Sequence, residues 1–376
     1  MRILHVYKDY PPVIGGIEHH VRDLAEAQAA GGHDVSVLCT RPGHGPTIEA
    51  VEHGVRVVRA HRLATIASTP LSLDLVRRLR TAAPDITHLQ SPYPMGELAW
   101  LAAGRRPLVV SYQSDIVRQR LLGALWAPGL RLVLARADRV IASSPPYVAS
   151  SPFLRRVRGK VAVVPIGIDV ARFAQGDRAA GRARFGERPT VVFVGRLRYY
   201  KGLPVLLESL RLLPGVQLVV VGTGPGMRAL AERSLDLGVA DRVKWVGDAT
   251  EEDLLDVLAA GDVFVLPSTH RSEAYGIALV EAMAAGLPAV TTELGTGTSW
   301  INQDGHTGRV VAPGDAAALA AALREILGDD ARRAAMAAAA RARAQSVFSR
   351  DAMVAAVMDV YAAAAAAAAR HAGDAA

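Results

Sequence analysis

The sequence predicts an α/β protein made of two doubly wound, parallel-sheet domains facing each other across a cleft. Three observations carry this expectation. Short Val- and Ile-rich runs alternate with helical patterns in the first half of the chain, the alternation starts afresh near residue 189, and a Gly/Arg-rich stretch poor in strands separates the two halves. The 376 residues also fit about two domains of ~100–200 residues each.

In the first half, strands are expected over 1–7, 33–39, 54–60, 85–91, 107–113, 138–144 and 160–167. Each is rich in β-branched residues and ends at Gly, Pro, Ser or a charge. The run 18–32 between the first two has a helical pattern and stops at a glycine pair. Strands joined through helices imply parallel pairing with helices on both faces. In the second half the strand candidates are 189–195, 216–222, 243–247, 262–268, 288–292 and 308–313. The helix candidates are 201–212, 225–238, 250–260, 276–286 and 315–328. Thr250 to Asp253 reads as an N-cap with an acidic first turn, which accounts for Glu251 and Asp253 without a metal. The boundary is expected around 170–188, giving domains 1–178 and 179–349, with 350–376 as a C-terminal helix packing back towards the first. The alanine tract 362–369 favours that helix and also reads as a solvated, low-complexity end.

Composition removes several function classes. Hydrophobic residues make up 51% of the chain, enough for large cores. Aromatics are only 5%, which argues against a base-stacking surface for single-stranded nucleic acid. Cys39 is the single cysteine, so intramolecular disulfides and thiolate metal clusters are excluded and a reducing cytoplasm fits. No signal peptide and no uncharged apolar run of about 18–20 residues is expected, so the protein reads as soluble or peripheral. The net charge of +7 is uneven. Residues 1–180 carry 23 Lys and Arg against 14 Asp and Glu, whereas 181–376 carry 20 against 22. That asymmetry fits lobes with different partners, or simply an arginine-rich composition.

Three segments carry candidate chemistry. The run RSEAYGIALVEAMAAGLP (271–288) holds Glu273 and Glu281 eight positions apart in apolar surroundings. Between them Tyr275, Gly276 and Ile277 lead into a helix, whose free amides and positive dipole end suit phosphate. Carboxylates do not hold phosphate, so a neighbouring polyol suits the glutamates. The segment GRLRYYKG supplies Gly195, Arg196 and Lys201 directly after a strand, a pattern able to clamp a diphosphate; alone, these are ordinary surface cations. Gly15 and Gly16 follow the first strand's exit and open a helix, where backbone can approach an anion. VVVGTGPGM at 219–227 has Met227 where a dinucleotide fingerprint needs its third glycine, so a nicotinamide site is not expected.

Taken in order, GGIE, GRLRYYKG and the two glutamates of SEAYGIALVEAMAAGLP resemble family 4 of the retaining, nucleotide-sugar-dependent glycosyltransferases, which have the GT-B fold. VVPIGIDVARF (163–173), DVFVLPS (262–268) and TGRVVAPGD (307–315) extend the likeness over nearly the whole chain, and ELGTGTSWINQDGHTG (293–308) looks most like bacterial polysaccharide mannosyl- and rhamnosyltransferases. The resemblance implies that Arg196 and Lys201 grip the donor diphosphate and that Gly16, beside Gly15, offers an amide to the distal phosphate. It further implies that Glu273 binds the transferred sugar and Glu281 the ribose. The amides of Tyr275, Gly276 and Ile277 would approach sugar and phosphates, and the base would lie near Gly222 and Val246. Gln113, in VVSYQSD, stands where the family often has histidine close to the sugar; it can hydrogen-bond but not titrate.

The implied activity is transfer of a hexose, with retained configuration, from a GDP-mannose-type or UDP-sugar donor to an acceptor hydroxyl in cell-envelope polysaccharide or glycolipid synthesis. A small natural-product acceptor, or an epimerase of the same fold, is the alternative. No cofactor and no metal are expected, since Asp-x-Asp is absent from the chain. The acceptor is expected to be a glycan, lipid-linked or a small molecule. The arginine- and leucine-bearing stretch 117–139, broken at Pro128-Gly129, reads as an acceptor groove, a peripheral contact with an anionic membrane, or an ordinary amphipathic helix pair. The expected location is cytoplasmic, at the inner face of the cell membrane.

Overall fold

Runs of β-branched residues bury both faces of a central sheet only when helices cover each side, and both halves of the chain adopt that arrangement. The computed structural model describes all residues except 14, 68, 105–106, 116–119 and 374–376, and the side chains of 120–122 and 371–373 as well. The chain divides into one unit of Met1–Gly167 with Arg350–Ala376 and a second of Ile168–Ser349.

The first unit contains β1 (Arg2–Val6), β2 (Asp34–Thr40), β3 (Ile48–Glu52), β4 (Val55–Ala60), β5 (Ala64–Ile66), β6 (Thr69–Leu71), β7 (Ile86–Ser91), β8 (Leu108–Tyr112), β9 (Arg139–Ala142) and β10 (Val161–Val163). Eight of these form one sheet in the order β10-β9-β8-β7-β1-β2-β4-β3, and β5 pairs with β6 separately. All neighbours in the large sheet are parallel except β3, which is antiparallel to β4. The antiparallel edge was not expected from sequence. Its cause is local: His53 (φ 48°) and Gly54 (φ 81°) both adopt positive φ, making a two-residue hairpin turn.

The second unit contains β11 (Thr190–Val194), β12 (Gln217–Val221), β13 (Val243–Gly247), β14 (Val263–Leu266), β15 (Ala289–Thr292) and β16 (Gly308–Val311) in a fully parallel sheet ordered β13-β12-β11-β14-β15-β16. Every strand expected in this half is present. Thr250 caps the helix Glu251–Ala260 with a reciprocal capping box to Asp253, as its sequence indicates.

Two expectations need correction. The division falls at Gly167/Ile168 and not at 178/179. The intervening residues belong to the second unit because Arg178 and Arg182 bind Asp262, just ahead of β14, at 2.7 and 2.6 Å. Within 117–139, the helix Arg120–Arg136 runs through Pro128 without breaking, while 117–119 fall outside the described residues. Trp126 Nε1 in that helix donates to the buried Glu97 carboxylate, which also accepts from Ser91 Oγ at 2.6 Å. This anchor holds the helix in place where the proline removes a backbone bond.

The C-terminal helix Arg350–Gly373 packs on the helix Gly16–Ala30 and on β8 and β9. It is the one helix among the described residues long and apolar enough to cross a membrane by length and composition. Its buried stripe of Met353, Val357, Val360, Tyr361, Ala364 and Ala367 repeats at helical spacing and covers the sheet.

Candidate active site

In the second unit, the strand order reverses between β11 and β14, the crevice where parallel sheets bind ligands. Gly195, Arg196, Lys201, Glu273, Tyr275, Gly276, Ile277 and Glu281 lie on segments that follow β11 and β14, while Gly222 follows β12 and Val246 lies near the end of β13. After β11 come Gly195, the exposed Arg196 and a short turn Tyr199–Lys201. Gly202 closes that turn at φ 73°, and a Cβ there would lie 1.8 Å from Pro267 O. Only glycine allows this turn to pass so close to the exit of β14.

That approach brings Lys201 to Glu273. Lys201 Nζ lies 2.6 Å from Glu273 Oε2, with both side chains nearly buried at 12% and 8% exposure. Burial lowers the Lys201 pKa, but the Glu273 charge and hydrogen bond outweigh it and leave the ammonium raised above its ordinary value. Ser268 Oγ donates to the same carboxylate oxygen at 3.0 Å. Two backbone bonds fix the loop: Thr269 N–H donates to Tyr200 O at 2.7 Å, and Glu273 N–H donates to His270 O at 3.1 Å. Sequence reasoning missed Ser268. Its signal was available in DVFVLPS, a hydroxyl at a strand exit five residues before a buried glutamate.

Beyond Glu273, the buried Tyr275 packs edge-on against Phe348, with ring centroids 6.4 Å apart. Gly276 precedes the helix Ile277–Ala284 at φ 95°, with no side chain capping the helix start. The first amides of that helix are thus not occupied by a capping side chain. Glu281 is half-buried one turn further on. After β12, Gly222 N–H donates to Gly247 O at 2.7 Å, and Gly195 N–H donates to Val221 O at 3.0 Å. The β12–β13 register skips Val246, since Val220 faces Trp245 and Val221 faces Gly247. Val246 therefore sits at a register shift, or bulge, in the β12–β13 pairing.

The first unit holds the other three candidates. Gly15 and Gly16 start the helix Gly16–Ala30 after β1, and the N-cap residue Gly15 has no side chain with which to cap it. The Glu18 carboxylate folds over this start: a Cβ on Gly15 would lie 2.2 Å from Glu18 Oε2. Gln113 follows β8 and is buried, with its N–H donating to Ser91 O at 2.8 Å. His20, from the glycine-led helix, lines the same small cavity as Gln113, together with Ser111 and Ser143. Apart from Gln113, sequence reasoning missed this polar group, because its members come from three separate segments.

The comparisons with known proteins give the family and the fold. The family described as Glycosyl transferases group 1 matches residues 178–343, and Glycosyltransferase Family 4 matches 14–172. The chain is 37% identical over 332 residues to the D-rhamnosyltransferase WbpZ of Pseudomonas aeruginosa, covering 86% of each protein. The chain belongs to glycosyltransferase family 4. The enzyme is also 36% identical over 376 residues to the O-antigen chain mannosyltransferase C of Escherichia coli, covering 96% of this chain and 98% of that one. Among solved structures, sucrose-phosphate synthase from Thermosynechococcus elongatus superposes with a TM-score of 0.80 at 24% identity, covering 96% and 98% of the two chains. Anabaena HepE in complex with UDP and glucose gives 0.78 at 22% identity, covering 96% and 99%. These likenesses identify the glycosyltransferase's fold as GT-B.

Proposed function

We propose that this glycosyltransferase moves a hexose, with retention and without a metal, from a nucleoside diphosphate sugar to a hydroxyl of a growing cell-envelope polysaccharide or glycolipid. The observation that carries the reading is the Lys201–Glu273 pair at the strand-order reversal, between Gly195 and the uncapped helix start at Gly276. A GDP-mannose-type donor is favoured over a UDP-sugar by the names of the relatives, a rhamnosyl- and a mannosyltransferase.

In this reading Arg196 and Lys201 neutralise charge developing on the departing diphosphate. The bond from the anomeric carbon to the phosphate oxygen breaks as the acceptor oxygen attacks from the same face. The departing phosphate takes the acceptor's proton. Glu273 holds sugar hydroxyls, Glu281 the ribose, Gly15 and Gly16 the distal phosphate, and Gln113 a further sugar hydroxyl. No side chain serves as covalent nucleophile, so catalysis rests on orientation and leaving-group stabilisation.

The work is cytoplasmic, at the inner face of the membrane. Supporting this, the helix Arg120–Arg136 exposes Leu125 and Leu132 at 77% and 43%. Arg131 stacks 5.9 Å from the Phe153 ring, next to the exposed Arg155, Arg156 and Arg158. Apolar side chains beside arginines suit an anionic bilayer.

A thermal-shift screen against GDP-, UDP-, ADP- and dTDP-sugars tests the donor. The right one, at ~100 times its dissociation constant, stabilises by about 2.7 kcal/mol. Turnover with that donor and an acceptor is then read by NMR. An inverted anomeric product defeats retention, and loss of turnover with chelator defeats metal independence. Donor isomerisation without acceptor would make the enzyme an epimerase.

A further inference from the structure

Gln113 is the visible end of a buried hydrogen-bond chain that reaches the C-terminal helix. Its Nε2 donates to Gln90 Oε1, on β7, at 2.7 Å. Gln90 Nε2 lies 3.3 Å from Nε2 of His88, two residues back on the same face of that strand. Ser111 Oγ lies 2.7 Å from the same imidazole nitrogen. On the ring's other side, His88 Nδ1 is 2.7 Å from the hydroxyl of Tyr361. Gln28 Nε2 donates to this hydroxyl at 3.4 Å. His88, Gln90 and Tyr361 are all fully buried.

Chemistry gives this chain a direction. An amide nitrogen only donates, so His88 Nε2 accepts, from Gln90 and from the Ser111 hydroxyl. Burial holds the His88 pKa well below its ordinary value, so the ring is neutral and has one proton. That proton is then on Nδ1 and is donated to Tyr361. At the other end, Gln113 spends its NH2 on Gln90. Its Oε1 accepts no hydrogen bond among the described residues. Gln113 lines a cavity of about 10 Å³, on the order of one water. With the proton on Nε2 instead, Gln90 would turn its oxygen to His88, and Gln113 would present NH2 outward.

We infer that Tyr361 is a positioning residue for Gln113: through His88 and Gln90, the C-terminal helix sets which end of the Gln113 carboxamide meets a sugar hydroxyl. This rests on the reading of Gln113 as a sugar contact. None of the three relay residues touches substrate; each acts through the next.

The test uses the full-length enzyme, its donor from the thermal-shift screen, and the variants Y361F, Q113A and Y361F/Q113A. Y361F should lower kcat about tenfold, the effect of ~1.4 kcal/mol at the transition state, with donor KM nearly unchanged. The double variant should be no slower than Q113A, because both changes act on one carboxamide. Wild-type kcat in Y361F overturns the inference, as do losses that multiply in the double variant. Wild-type turnover in Q113A instead overturns the sugar-contact reading itself. Should Y361F not fold, Gln90→Leu cuts the relay one bond nearer Gln113 and carries the same expectation.

Discussion

At the carboxyl ends of β11 and β14, the buried polar groups are an ammonium and a carboxylate, Lys201 and Glu273, held 2.6 Å apart. Along the carboxyl halves of β7 and β8, in the other unit, the polar groups that reach Gln113 are an amide, a hydroxyl and an imidazole, Gln90, Ser111 and His88, with the Glu97 carboxylate held separately by Ser91. Both units are parallel sheets with helices on their faces, so topology does not explain the difference. The net charge points the opposite way, since the excess of arginine and lysine is in residues 1–180. Those cations are largely outside, while the charged side chains buried in that unit are carboxylates, Glu18, Glu97 and Asp138, and none is a lysine or arginine among the described residues. The comparison teaches that global charge and site charge are set separately. A surface cation keeps its hydration, whereas a buried one needs a partner brought to it by the fold.

The comparison breaks most easily at the ion pair. Lys201→Ala and Glu273→Ala should each cut kcat by ~10²–10³, the scale for losing one preorganised charge stabiliser. Near wild-type kcat at saturating donor in either variant would remove the pair from the site. Each also strands a buried charge, so a lower Tm should accompany the loss.

The next effect concerns how the pair is assembled. Gly202→Val adds a β-branched side chain at positive φ where even a Cβ meets Pro267 O at 1.8 Å. It should cost roughly 3 kcal/mol or more and weaken donor binding, because Lys201 moves off Glu273. Unchanged melting and donor affinity would show that this close approach is dispensable.

A pH series sharpens the contrast between the units. Burial lowers His5 and His20 to about 4, and His88 in the same direction, against about 6.5 unfolded. Because the folded values lie below the unfolded one, the unfolded chain binds more protons in this window. Stability from these groups is complete above about pH 6.5 and is lost as pH falls towards about 4. Glu97, raised by burial, opposes them in part. Hydrogen exchange, corrected for intrinsic rates, should show the first unit loosening at pH 5 more than the second. Equal loosening in both would defeat the contrast.

The smallest effect is local. Thr250→Ala removes one side of the capping box and should cost about 1 kcal/mol, lowering Tm by ~2–4 °C. Turnover should stay unchanged; a changed kcat would mean that the helix Glu251–Ala260 communicates with the site.

Much of this organisation was legible in one dimension. The parallel strands, the Thr250 cap and the segments GRLRYYKG and RSEAYGIALVEAMAAGLP follow from local period, turn chemistry and residue type. The β3 edge escaped because its His53-Gly54 turn is a weak hairpin signal among βα units. Ser268 and the His88–Gln90–Tyr361 relay escaped because neutral hydroxyls, amides and single histidines occur everywhere in a sequence.

By itself, then, the sequence determined the class of fold, which loops follow which strands, and which residue types stand at their ends. Those properties depend on interactions within a few residues. Only the tertiary structure decided that Lys201 is neutralised by Glu273, 72 positions away, and that Tyr361 lies against His88, 273 positions away. Burial removes water as a partner, so each buried polar group must be satisfied by whichever group the packed chain places beside it.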